Sequence, residues 1–89
     1  METKRKILLV DDESAITDHL APFLARAGFD VTVAADGETA LQTVESFDPH
    51  LIILDVMMPG LDGLEVLRRL RRADDWTPII LLTQVGDSA

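Results

Sequence analysis

Four apolar residues in a row, Leu51-Ile52-Ile53-Leu54, run straight into an aspartate, Asp55, and then into Val56-Met57-Met58-Pro59. An unbroken apolar run does not suit a strand with one wet face; it asks for cover on both faces, as in the interior of a parallel sheet. A carboxylate at the end of such a strand lies on the rim where open α/β sheets keep their ligands. Asp55 is therefore the first candidate for chemistry.

Two further stretches share this form. Ile7-Leu8-Leu9-Val10 ends in Asp11-Asp12-Glu13, and Ile79-Ile80-Leu81-Leu82, opened by Pro78, ends at Thr83. Both are expected to be buried strands. A shorter, half-exposed strand is expected over Asp30–Ala34, where Val31 and Val33 share one side. Three helices fall between the strands. The first is capped by Asp12 or Ser14, carries a stripe of Ile16, Leu20, Phe23, Leu24 and Ala27, and stops at Gly28. Pro22 lies opposite that stripe. The second opens at Asp36-Gly37, turns Ala40, Leu41, Val44 and Phe47 inward, and ends at Asp48-Pro49. The third opens at Asp62-Gly63 with Leu64, Leu67 and Leu70 inward, and Trp76 is expected to pack where it meets the last strand. Residues 84–89 are expected to form a loop. Strand and helix thus alternate, which predicts an α/β parallel sheet with right-handed crossovers.

If the strands ending in Asp11-Asp12 and Asp55 are neighbours, the strand order is 2-1-3-4 and three carboxylates meet in one crevice at the switch point. Clustered anions either raise a pKa or recruit a cation. Oxygen-only donors with few fixed positions favour Mg2+, which keeps several waters and often shares a site with phosphate. A carboxylate beside Mg2+ is also a nucleophile toward phosphorus, giving an aspartyl phosphate. Thr83, at the end of the adjacent strand, is placed to offer its hydroxyl to that phosphate. Taken singly, Asp11 and Asp12 would serve equally well as helix caps.

Composition narrows the alternatives. The chain has 16 acidic and 8 basic residues, a net charge of -8, which argues against direct binding of nucleic acid or anionic membrane. It has no cysteine, which excludes disulfides, thiolate zinc sites and cysteine nucleophiles. Lys4-Arg5-Lys6 before an apolar tetrad is too short for an export signal, and no stretch is long enough to span a bilayer, so a cytoplasmic protein is expected. Arg68, Arg69, Arg71 and Arg72 complement the negative end of the third helix as a solvated face. His19 and His50 lack metal-ligand spacing and are expected at the surface, and Met57 and Met58 are expected to pack in their loop. No phosphate loop, Ser-His-Asp set or HExxH motif is present.

Three segments together carry a resemblance: Ile7-Leu8-Leu9-Val10-Asp11-Asp12-Glu13, Asp55-Val56-Met57-Met58-Pro59-Gly60-Leu61-Asp62-Gly63, and Pro78-Ile79-Ile80-Leu81-Leu82-Thr83. Over essentially its whole length the chain resembles the receiver domain of two-component response regulators. The resemblance implies a flavodoxin-like fold and a phosphoacceptor, not an enzyme acting on a separate substrate, charged at Asp55 by a sensor histidine kinase or phosphotransfer protein. It implies that Asp11, Asp12, Asp55 and the backbone carbonyl of Met57 hold Mg2+, that Thr83 is the switch hydroxyl, and that Pro59, Gly60, Asp62 and Gly63 shape the loop. An aspartyl phosphatase would need a second aspartate two residues after the first, where Met57 stands. The family also has a lysine on a fifth strand. Residues 1–89 are thus expected to be one receiver domain lacking that strand and the last two helices, prone to self-association along the exposed edge of the fourth strand. Gln84, where the family commonly has a small residue, is expected to narrow the site. A module that only binds partners, without phosphorylation, is the alternative.

Overall fold

The computed structural model describes residues 3–83 of the chain. Four strands, β1 (Lys6–Val10), β2 (Asp30–Ala34), β3 (Leu51–Asp55) and β4 (Ile79–Leu82), alternate with three helices, α1 (Ser14–Arg26), α2 (Gly37–Phe47) and α3 (Gly63–Arg72). The strands form one parallel sheet in the order β2-β1-β3-β4. This is the flavodoxin-like order expected from the acid-terminated strands. Among the described residues no helix is long and apolar enough to cross a membrane. The expectations for residues 84–89, Gln84 included, lie outside the described residues.

Side chains alternate along each strand, so an apolar tetrad feeds two cores at once. Leu8, Val10, Ile52 and Leu54 pack with Ala40 and Val44 of α2 and Val66 and Leu70 of α3. Ile7, Leu9 and Ile53 point the other way, where Leu20, Ala21 and Leu24 of α1 meet them. Right-handed crossovers explain why α1 stands alone on its side while α2 and α3 share the other.

Several local expectations need correction. On α1 the buried residue is Thr17, flanked by half-buried Leu20, Ala21 and Leu24, whereas Ile16, Phe23 and Ala27 are exposed, Phe23 to 60%. The helix packs chiefly along β2, and that contact keeps Leu20 and Leu24 of the expected stripe on the core while turning Ile16, Phe23 and Ala27 outward. Its N-cap is Glu13, neither Asp12 nor Ser14, because Ser14 is already the first helical residue. On α3 the inward residues are Gly63, Val66 and Leu70, while Leu64 is exposed. The close seat of Gly63 on the end of β3 sets this rotation. β4 is not a fully buried strand: Ile80 is 50% exposed, since α1 lies over the opposite half of the sheet. Trp76 is also outside, 68% exposed, with the Arg71 guanidinium 5.3 Å from its ring and its Nε1 donating to Asp74 Oδ1 at 2.7 Å.

Helix starts agree with the sequence where an aspartate precedes a glycine. Asp36 Oδ1 accepts from Thr39 N at 2.7 Å, and Asp62 Oδ1 accepts from Glu65 N at 2.9 Å. The Thr39 backbone N–H is the main cause holding the Asp36 carboxyl below its ordinary 3.8. Since the folded chain favours ionised Asp36, the cap's contribution is complete above that ordinary value and fades as pH falls through the lower folded one. Asp36→Ala is expected to lower the melting temperature at neutral pH, with the difference closing in strong acid; thermal melts over a pH series check this.

Candidate functional site

The parallel register sets Val10 beside Leu54, so the residues that follow, Asp11 and Asp55, reach the same rim together. Asp12 comes next in the chain, at the mouth. One carboxylate oxygen from each of Asp11, Asp12 and Asp55 lies within 4.8 Å of the others. Asp11 and Asp55 are buried and Asp12 is exposed. Segments far apart in sequence thus bring three acids into one crevice.

Backbone amides orient two of them. Asp11 Oδ1 accepts from Glu13 N at 2.9 Å, and Asp55 Oδ1 accepts from Met57 N at 3.1 Å. Burial raises the Asp55 carboxyl above its ordinary 3.8; the Met57 N–H opposes the rise, and the charges of Asp11 and Asp12 add to it. Among the described residues no lysine or arginine forms an ion pair with these acids. An uncompensated oxygen cluster with one open side fits a hard divalent cation of the Mg2+ kind.

The loop after Asp55 is fixed at both ends. Gly63 N donates to Val56 O at 3.1 Å, and the Asp62 cap starts α3 directly behind it. Gly60 adopts φ +74°, which glycine takes without strain. Gly63 sits so close to the end of β3 that an added Cβ would fall on the Asp55 carbonyl oxygen and 2.9 Å from Val56 Cα. Pro59 is exposed between them. Of the two methionines only Met58 packs; the Met57 side chain is 65% exposed, a correction to the expected loop packing. With Val56, Met58, Pro59, Asp62 and Leu64 it lines an open groove of about 490 Å3 along the loop that follows Asp55. Nothing in the every-third-residue leucine spacing of α3 pointed to Leu64 as a wall of that groove, because its orientation depends on where Gly63 docks.

Thr83 follows Leu82, the residue registered against Asp55, and is exposed. Leu82 O also accepts from Val56 N at 3.1 Å, so the ends of β3 and β4 are tied at the site. The arginines of α3 are elsewhere and occupied. Glu65 accepts from Arg68, Arg69 and Arg72 at 3.2, 3.3 and 3.4 Å, and Arg71 caps the carbonyls of Asp75 and Thr77 at 2.7 and 3.1 Å.

Residues 7–89 match the family model described as the response regulator receiver domain. A curated relative, the alkaline phosphatase synthesis transcriptional regulatory protein PhoP of Bacillus subtilis, is 51% identical over 89% of this chain and 33% of its own length. The probable transcriptional regulator ycf27 of Cyanophora paradoxa is 50% identical over 97% of this chain and 36% of its own. This chain therefore spans about a third of the curated relatives it matches. Among solved structures, chemotaxis protein CheY4 of Vibrio cholerae superposes with a TM-score of 0.88 at 34% identity, covering 97% of this chain and 73% of that one. Response regulator protein TrrA of Thermotoga maritima, solved in complex with Mg2+-BeF, superposes at 0.85 with 40% identity, covering 92% and 71%.

Proposed function

From the premise that this chain belongs to the response regulator receiver family, we propose that it is the phosphoacceptor switch of a two-component system, charged on Asp55 by a sensor histidine kinase or phosphotransfer protein. The observation that carries the reading is the gathering of Asp11, Asp12 and Asp55 within 4.8 Å at one rim. One Asp55 oxygen attacks phosphorus, the bond from phosphorus to the donor's imidazole nitrogen breaks, and the imidazole leaves with the electron pair. Asp11, Asp12, Asp55 and the backbone carbonyl of Met57 would hold Mg2+. When bound, the ion offsets the charge on the phosphoryl oxygens. Thr83 receives a phosphoryl oxygen on its hydroxyl, and because β3 and β4 are tied there, the end of β4 responds. The TrrA neighbour, solved with Mg2+-BeF, supports a site of this chemistry.

The test is incubation of the chain with Mg2+ and phosphoramidate, followed by intact-mass measurement. One phosphoryl group per chain is expected, and a folded chain that binds Mg2+ but takes up none would overturn the reading.

A specific observation favours a second property. Among the described residues β4 is paired on one side only, and Ile80 and Leu81 are exposed on it. Unpaired apolar strand edges recruit further strands. We propose self-association through this edge. The sedimentation-average mass is expected to rise with concentration and to stay monomeric in Ile80→Lys; a monomer at every concentration for the unaltered chain would rule it out. Mg2+ binding and association without phosphoryl uptake would identify a purely interacting module.

A further inference from the structure

We propose that Gly37, the first residue of α2, is a positioning residue for the acid site, acting through the loop that carries Met57. This rests on the reading of the site as a Mg2+ and phosphoryl site. A Cβ added at Gly37 would lie 2.5 Å from Leu61 O, 3.0 Å from Leu61 Cβ and 3.0 Å from Val66 Cγ2. The nearest of these atoms is backbone, so no rotamer change relieves the contact. Leu61 belongs to the loop whose two ends are pinned by the Met57 N–H on Asp55 Oδ1 and by the Gly63 N–H on Val56 O. The start of α2 therefore presses on the end of that loop nearest α3, two residues before Gly63, and completes its support.

Two features separate this from a need for glycine in the helix itself. Gly37 is not among the glycines with positive φ, so its backbone suits any residue. Helix propensity favours alanine there. Any harm done by Gly37→Ala thus arises from its new contacts with Leu61, the closest of them, and with Val66. Ala40 and Val44 anchor α2 in the core, one turn and two turns along, and Val66 is buried in the same core, so the strain falls on Leu61, which is only partly buried against that core. Displacing it moves the Met57 backbone, which borders the acids.

The experiment compares Gly37→Ala with Gln42→Gly, an exposed substitution that weakens α2 without touching the loop. Mg2+ affinity is read from amide shifts of Asp55, Val56, Met57 and Met58, and the same amides are compared without metal. Gly37→Ala is expected to shift them in the metal-free chain and to weaken Mg2+ binding ~10-fold, as changes in groups that support metal ligands do. Gln42→Gly is expected to leave both unchanged. Unaltered loop shifts and affinity in Gly37→Ala, or equal losses in Gln42→Gly, overturn the proposal. Should Gly37→Ala not fold, Leu61→Gly takes its place, and full Mg2+ affinity in that variant overturns it. If the unaltered chain binds no Mg2+, the reading of the site falls and the proposal with it; if it binds and the variants match it, the proposal falls alone.

Discussion

Asp55→Asn is expected to abolish phosphoryl uptake and, at neutral pH, to melt at a higher temperature than the unaltered chain. The first effect follows from the proposed role of Asp55 as nucleophile, since an amide does not attack phosphorus under these conditions. The second follows from the electrostatics of the crevice. Burial, with the charges of Asp11 and Asp12, raises the Asp55 carboxyl above its ordinary 3.8, although the Met57 N–H works against it. A raised carboxyl binds its proton more tightly in the folded chain than in the unfolded one. The resulting stability is complete below the unfolded value and lost as pH rises through the folded value, so at neutral pH the full cost of the ionised group is felt. Asparagine removes the charge and keeps the acceptor for Met57 N. Relief of repulsion between groups about 5 Å apart in a site open to water is worth about 1 kcal/mol, or roughly 4–8 °C for a chain of this size. Melting curves over a pH series should converge in acid, near and below 3.8. A lower melting temperature for Asp55→Asn at neutral pH would show that the carboxylate is stabilised, not strained, by its surroundings. Mg2+ should stabilise the unaltered chain and do less for the variant, because a ligand raises stability only through the state that binds it.

Gly63→Ala is expected to be the most destabilising single methyl that can be added near the site. The new Cβ would meet the Asp55 carbonyl oxygen and carbon and Val56 Cα, all backbone atoms of the strand end. Neither partner can turn aside. α3 must lift from the sheet, and Val66 and Leu70, buried on the same face, lift with it. Overpacking of this kind costs about 3 kcal/mol, a large share of the ~5 kcal/mol expected of a small domain. Gly60→Ala is the informative comparison. Nothing lies within 4 Å of a Cβ there, and only its φ of +74° is unfavourable, so the cost should be about 1 kcal/mol. Urea denaturation midpoints give the order. If Gly60→Ala proves the more harmful, backbone conformation and not close approach governs this loop.

The sequence alone was sufficient for the topology and for the acids. Three apolar tetrads, each too uniform for a half-wet strand, point to a parallel sheet; two of them are buried as read, while β4 lies at the edge with Ile80 and Leu81 exposed. The acids that follow two of them meet only if those strands are neighbours, and β1 and β3 are neighbours in the sheet. Both inferences use properties local to a few residues, and strand direction then carries them to a shared rim. Tertiary contacts decided how the helices turn on the sheet. Leu64 was expected inside and Val66 was overlooked, because leucine spacing is compatible with several rotations and only the seat of Gly63 against Asp55 and Val56 selects one. Phe23 lies outside and Thr17 inside because α1 leans along β2, a placement its own periodicity does not encode. Gly37 carried no signal beyond a turn, since its close approach is to Leu61, far along the chain. Hydrophobic pattern is a property of one segment, whereas rotation and close approach belong to pairs of segments, and a pair is defined only once the chain has folded.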